Sequence, residues 1–400
     1  MSVFWSISLW FLLIGPSPRL SVAIAVEIHA QKPAWQTTFT EIVGSDCRKM
    51  SVQRVPLDEK LAAVPSLHLS DIAARASHAL LFSELSKNTG RHLPHFYVLG
   101  AAKAGTTELF DQICQHPSID CSGPKEYGVW TEYLKHLHQT FRHHTSLNHA
   151  LPTLIHRLTQ PVGSPRIFGD GTPENLNGWP ISDNVDRLRF ASTWHGNTTV
   201  VRAPLPHLLK LAHPAGVPLI VILREPVQRA WSHYRFIFGD VMHLHPSGKD
   251  FDALVHAELT NYLQCERDHG ILCAFGLQNG YSHATRYATG SGKLGLHVGL
   301  YAIHLHVWRS YHGKQLLPLC FEDFINEPAT TLQRVYAHLG LAAHSMSMAQ
   351  HEHKNPSQAG TALAMSNHTT QQLHAFYAPH NKDLRWLMPK MATTACNWLV

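Results

Sequence analysis

A short apolar run from His95 to Leu99 feeds a turn bracketed by Gly100 and Gly105. The turn opens directly into an amphipathic pattern through Leu109, Phe110 and Ile113. Strand, tight turn and helix start, in that order, constrain the fold more than any other feature of the chain. In this geometry backbone N–H groups and the positive end of the helix dipole point at one spot. Lys103 adds a full positive charge inside the turn, and Thr106 and Thr107 add hydroxyl groups. The segment is read as a site for a phosphate-like anion. It is not a nucleoside-triphosphate loop of the G-x-x-x-x-G-K-[ST] kind. Gly100 and Gly105 have that spacing, but the lysine lies within the loop and threonines follow the second glycine.

A second motif has the same logic. Val217 to Leu223 is a near-continuous apolar run, the pattern of a strand buried on both faces. It ends in Arg224-Glu225-Pro226, and Pro226 suits the first turn of a helix. Arg224 is thereby expected at the C-terminal edge of a sheet, where open α/β folds place their ligands. Ser232 follows eight residues on, about two helical turns, and shares the face of the helix start. A forked, permanently charged guanidinium with a hydroxyl fits a second phosphate. Together the motifs call for a ligand with two separated anionic groups.

At these residues the chain resembles the sulfotransferases that use 3′-phosphoadenosine 5′-phosphosulfate (PAPS). Lys103-Ala104-Gly105-Thr106-Thr107 is similar to their 5′-phosphosulfate loop, and Leu223 to Pro226 with Ser232 to their 3′-phosphate site. The likeness extends to the Golgi carbohydrate enzymes of that family that act on glycosaminoglycans. It runs through Pro124-Lys125-Glu126-Tyr127-Gly128-Val129-Trp130, the turn Gly169 to Pro173, the stretch Val298 to Trp308 and Phe321 to Phe324. The resemblance implies an α/β fold, a mainly parallel sheet flanked by helices and similar to P-loop nucleoside-triphosphate hydrolases. It implies PAPS as donor co-substrate, no metal, and a glycan acceptor. The 6-hydroxyl of N-acetylgalactosamine 4-sulfate in chondroitin sulfate is the acceptor it points to.

The implied roles follow residue by residue. Lys103 neutralises the bridging oxygen, N–H groups of Ala104, Gly105, Thr106 and Thr107 hold the phosphosulfate, and Arg224 and Ser232 hold the 3′-phosphate. Glu126 is the candidate general base, and Lys125 holds the sulfonate or the acceptor. An adjacent Lys–Glu pair also reads as a plain structural salt bridge. Two departures fall on the acceptor side: Gly128 stands where the family often has histidine, and Gly171 where several relatives carry lysine. Two other classes are compatible with the residues: a nucleotide kinase, and a catalytically silent glycan-binding protein on the same fold.

Composition bounds the rest. Four hundred residues, 44% apolar, can bury a substantial core, and the formal charge is only +5. Thirty-two histidines are expected to make the surface more basic in an acidic compartment, which suits a polyanionic acceptor such as a sulfated glycan; no nucleic-acid partner is expected. Histidine pairs such as His243/His245, His304/His306 and His351/His353 have no metal-ligand framework around them. The apolar run from Val3 to Gly15 reads as a secretory leader. Ala23-Ile24-Ala25 offers a cleavage site, whereas the resemblance implies a type II signal anchor and a Golgi-lumenal domain. The chain is accordingly divided into 1–25, anchor or signal peptide; 26–92, a stem or helical lead-in with a helix near Asp71–Ser86; and 93–395, the catalytic domain, with an insertion at 136–163. Asn197 and Asn367 begin glycosylation sequons. Of seven cysteines, the family likeness pairs Cys265 with Cys273. Cys114 and Cys121 could close another small loop, and Cys320, in an apolar run, reads as a buried free thiol. Strands are expected near 95–99, 166–169, 217–223 and 315–321, and helices from 106, 204, 226, 251, 298 and 328.

Overall fold

A computed structural model describes residues 37–41, 50–54, 91–128, 130, 160–161, 166–177, 205–269, 273–274, 294–344, 364–389, 391 and 396–399. Strands β1 (Thr37–Glu41) and β2 (Met50–Arg54) form an antiparallel pair within the segment expected to be a lead-in. β3 (Arg91–His92) pairs antiparallel with β5 (Gln160–Pro161). The organising element is a four-stranded sheet in the order β6 (Gly169–Asp170), β4 (Phe96–Val98), β7 (Leu219–Leu223), β8 (Leu316–Cys320), with every pairing parallel. All five residues of β7 are fully buried, as its unbroken apolar run demands of an interior strand. Pro318 in β8 cannot donate to a ladder, which is tolerated because β8 lies at the sheet edge among the described residues.

Helices flank this sheet. α1 (Thr106–Ile113) packs against α7 (Pro328–His338), while α5 (Tyr301–His312) packs against α2 (Leu205–Ala212) and α8 (Asn367–Leu387). α3 (Pro226–Arg235) leads into a π-helical turn at Phe236–Val241, α4 spans Gly248–His269, and α6 (Phe321–Asn326) follows β8 directly. The α/β architecture read from the sequence is the one found. α4 begins three residues earlier than expected, ahead of Phe251. Ser247 acts as its N-cap, its Oγ accepting from the Asp250 N–H at 3.1 Å while its hydroxyl donates to the Asp250 carboxylate at 2.6 Å. Near 298 a 3₁₀ turn (Leu296–Gly299) precedes the helix, which starts at Tyr301. The strand expected at 166–169 shrinks to an Ile119–Ile167 bridge and the two residues of β6.

Disulfides join Cys114 to Cys121 and Cys265 to Cys273, as expected. Cys320 is not a free thiol: it is buried but bonded to Cys396, 76 residues along the chain. Its apolar neighbours signalled burial correctly, but a partner so distant in sequence leaves no local mark. Cys47, Asn197, the helix near 71–86, residues 354–360 and the apolar run of 3–15 lie outside the described residues. Among the described residues no helix is long and apolar enough to cross a membrane.

Several histidines are core groups rather than surface charges. Burial holds His213 and His304 down at about 4 and His233 at about 3. His304 is fully enclosed, its ring meeting the His297 carbonyl at 3.1 Å. The unfolded chain therefore takes up protons below the ordinary histidine value of ~6.5 while the native chain does not. Stability is retained above ~6.5 and falls as pH drops towards 4. Urea denaturation of wild type and His304→Gln at pH 7 and pH 5 checks this. The variant should lack about 2 kcal/mol of the wild-type loss across that interval.

Candidate active site

The site is assembled where two neighbouring parallel strands end. The β4–β7 ladder runs past the end of β4: Leu99 N–H donates to Ile220 O, Ala101 N–H to Ile222 O, and Ile222 N–H to Gly100 O, each at 2.8 Å. Loop 100–105 and Arg224 consequently emerge side by side. Gly105 is the N-cap of α1 in a left-handed conformation (φ 83°) and provides no side-chain cap. Its first-turn N–H groups have no intrahelical acceptor and face the loop opening. A Cβ on Gly105 would lie 2.7 Å from the Phe321 ring, so the residue type is dictated by the backbone and by packing. Ala104 differs from its expected role: its N–H donates to Ala101 O at 3.0 Å, which closes the loop on itself. The outward-facing donors begin at Gly105.

Lys103 holds a left-handed backbone (φ 67°), a state that costs a non-glycine residue about 1 kcal/mol or more. Its ammonium sits 4.0 Å from the centroid of Phe236, on the π-helical turn. Burial pulls its pKa below the ordinary lysine value. The charges of Arg224 and Lys125 add to that shift, and Asp240 opposes it. Three cations are thus electrostatic neighbours. Arg224 Nη1 donates to the Lys103 carbonyl at 3.5 Å, and its guanidinium lies 4.7 Å from the centroid of the Phe321 ring. The Tyr301 hydroxyl donates to the Arg224 carbonyl at 2.9 Å. Ser232 is half-buried on α3, the helix that begins two residues after Arg224.

Lys125 bridges the loop to the 124–128 segment. Its Nζ donates to Thr107 Oγ1 at 3.1 Å and to Glu126 Oε1 at 2.7 Å, in an ion pair whose glutamate is about half exposed. Glu126 therefore sits at the mouth of the loop, beside Thr107 and within a salt bridge. Beneath it, Asp170 is fully buried and accepts from Tyr127 N–H (3.3 Å), Thr172 N–H (3.0 Å), the Thr172 hydroxyl (2.5 Å) and Asn175 Nδ2 (3.3 Å). Burial still raises its pKa, against the pull of those bonds. Thr172 Oγ1 in turn accepts the Gly128 N–H at 3.1 Å, and the Gly171 N–H donates to Lys125 O at 2.8 Å. A side chain at Gly171 would put its Cβ 2.8 Å from Phe110 and 3.1 Å from the Lys125 stem. With the Lys125 chain laid across it, this position has no room for a lysine.

Sequence reasoning missed several residues that shape the site. Glu225 caps α3, accepting from Val227 N–H at 3.1 Å and Gln228 N–H at 2.7 Å; an acidic residue just before Pro226 was the available signal. Phe236, Asp240, Phe321 and Glu322 reach the site only through packing. Arg229 is fully buried and donates to Gly295 O at 2.6 Å, while Glu258 accepts from Leu294 N–H at 3.0 Å and Leu296 N–H at 2.6 Å. Those two side chains pin the 294–299 turn beside α3. Cys320, Glu322 and Cys396 form a close group of metal-ligating types among the described residues, but the two sulfurs are bonded to each other.

Fold and site together bring a glycine-bounded loop, a helix start and three cationic side chains to the end of a parallel sheet. No known family profile matches the chain. Carbohydrate sulfotransferase 15 of Mus musculus is 26% identical over 337 residues, 77% of this chain and 56% of that protein. The Homo sapiens protein of that name is 26% identical over 317 residues, 74% of this chain and 53% of its own length. The chain thus spans little more than half the length of these relatives. Among solved structures, a sulfotransferase from Alicyclobacillus acidocaldarius aligns with a TM-score of 0.49 and 19% identity, over 77% of this chain and 99% of that one. Over about three quarters of its length the chain is similar to carbohydrate sulfotransferases.

Asp170 provides a direct check on the frame that holds Tyr127, Thr172 and Asn175. In Asp170→Asn one acceptor oxygen becomes a donor among four donors, so the variant should lose about 1–3 kcal/mol of stability. A urea midpoint unchanged from wild type would remove Asp170 from this role.

Proposed function

We propose that the chain transfers a sulfuryl group from PAPS to a glycan hydroxyl by in-line displacement. The observation that carries this reading is the junction of Lys103 and Arg224, which follow adjacent parallel strands and are joined by the 3.5 Å contact. A donor with a 5′-phosphosulfate and a separate 3′-phosphate matches two cationic centres held apart by a loop. The relationship to carbohydrate sulfotransferases supports the same chemistry.

In this reading the N–H groups of Gly105, Thr106 and Thr107 hold the phosphosulfate, and Arg224 and Ser232 grip the 3′-phosphate. Lys103 leaves the Phe236 ring to meet the bridging oxygen, where charge develops as the sulfur–oxygen bond breaks. Glu126 takes the proton from the attacking sugar hydroxyl, and Lys125 keeps that carboxylate aligned next to Thr107. Adenosine 3′,5′-bisphosphate leaves as the new sulfate ester forms. For the acceptor we propose the 6-hydroxyl of N-acetylgalactosamine 4-sulfate in chondroitin sulfate. The compartment is the Golgi lumen, reached through the apolar run of 3–15 as signal anchor, or the exterior if that run is cleaved. Three disulfides suit such an oxidising space, and Asn367 is exposed for glycosylation.

Calorimetry and labelled-sulfate transfer test the reading. Adenosine 3′,5′-bisphosphate should bind in preference to ATP, and Arg224→Ala should weaken it about 10- to 100-fold, more than Ser232→Ala does. Lys103→Ala should cut turnover by about a hundredfold or more while the protein stays folded. Preference for ATP would favour a kinase instead. Tight bisphosphate binding without transfer to any of chondroitin, chondroitin sulfate A, dermatan sulfate, heparan sulfate or a neutral glycan would favour a silent glycan binder.

The base is tested separately. Glu126→Gln should preserve bisphosphate affinity and lower the transfer rate about 100-fold or more. Transfer at the wild-type rate would exclude Glu126 as the base.

A further inference from the structure

Arg224 has a carboxylate for a neighbour and yet is not locked to it. Glu322 follows Phe321, whose ring underlies the guanidinium, and of the charges around Arg224 it acts on that residue most strongly. A carboxylate so placed ordinarily closes a forked pair with arginine. Here both oxygens of Glu322 are engaged elsewhere. Oε1 accepts the Glu225 N–H at 3.1 Å, and Oε2 accepts the indole Nε1–H of Trp398 at 3.1 Å.

Trp398 comes from a remote part of the chain and is held there twice. Cys396, two residues before it, is bonded to Cys320, two residues before Glu322. Its ring also packs 6.1 Å from Tyr301, the residue whose hydroxyl holds the Arg224 carbonyl. The indole N–H is therefore delivered to Glu322 by a covalent tie, and it is the one donor on Oε2 among the described residues.

We infer that Trp398 is a positioning residue of the donor site, acting through Glu322 on Arg224; this rests on the donor-site reading above. The carboxylate offsets the cost of burying a guanidinium, while the indole N–H keeps Oε2 turned away from it. The fork of Arg224 then remains open to the 3′-phosphate. Without the indole N–H, Oε2 turns to Arg224 and competes with the phosphate for the same donors.

Calorimetric titration with two ligands separates this from a merely structural role. Adenosine 3′,5′-bisphosphate carries the 3′-phosphate and adenosine 5′-monophosphate does not. Trp398→Phe keeps an aromatic ring and removes the N–H. It should weaken bisphosphate binding about fivefold and leave monophosphate binding unchanged. Adding Glu322→Gln to Trp398→Phe removes the competing charge and should restore bisphosphate affinity to within about twofold of wild type. Unchanged bisphosphate affinity in Trp398→Phe, equal weakening of both ligands, or no recovery in the double variant each overturns the inference. Should Trp398→Phe fail to fold, Glu322→Gln alone decides: bisphosphate binding as tight as wild type or tighter supports the inference, and weaker binding overturns it. A wild-type protein that does not distinguish bisphosphate from monophosphate would overturn the donor-site reading itself, and this inference with it.

Discussion

The backbone bonds that carry the β4–β7 ladder beyond Val98 bring the glycine-bounded loop and Arg224 to the same height at one sheet edge. Each bond is ordinary in strength, and the consequence is geometric. Loop donors, the start of α1, the Lys103 ammonium and the Arg224 guanidinium end up around one small opening. Parallel pairing is essential here, because it places the C-terminal ends of both strands on the same side of the molecule.

Bringing cations together without an anion is unfavourable, and the structure holds them apart from one another by several devices. Phe236 receives the Lys103 ammonium on its ring face, Phe321 carries the Arg224 guanidinium, and Lys125 is tied to Glu126 and Thr107. Asp240 and Glu322 add opposing charge. Lys103 additionally bears left-handed backbone strain of the kind that collects at functional positions. An anion in the opening would relieve the mutual repulsion.

The histidines fall into two populations. His243, His245, His256, His368 and His374 are exposed, on the surface that a polyanion would meet. Burial keeps His213, His233 and His304 neutral at mildly acidic pH, so the histidine content overstates the surface charge that acidity would bring. A count of residue types cannot separate the two populations, because burial and not composition decides which imidazoles meet water.

Local chemistry was legible in the chain. The apolar run before Arg224 could only be an interior strand, Pro226 marked a helix start, and the spacing of Gly100 and Gly105 around Lys103 marked an anion-facing turn. Each of these is a short-range backbone preference, encoded within a dozen residues, and the family motifs are built from the same positions. Contacts between distant segments were not legible. The bond from Cys320 to Cys396, the Trp398 N–H on Glu322, the Phe236 ring under Lys103 and the Asp170 hub beneath Lys125 join residues whose separation in sequence carries no periodic or local signal. By itself the sequence determined three strands of the sheet (β4, β7 and β8), the helix starts at Thr106, Pro226 and Pro328, and the two cationic motifs. Only the tertiary structure decided how those motifs are neutralised, braced and kept open, because those tasks fall to side chains that meet when the sheet and its helices close around a common core.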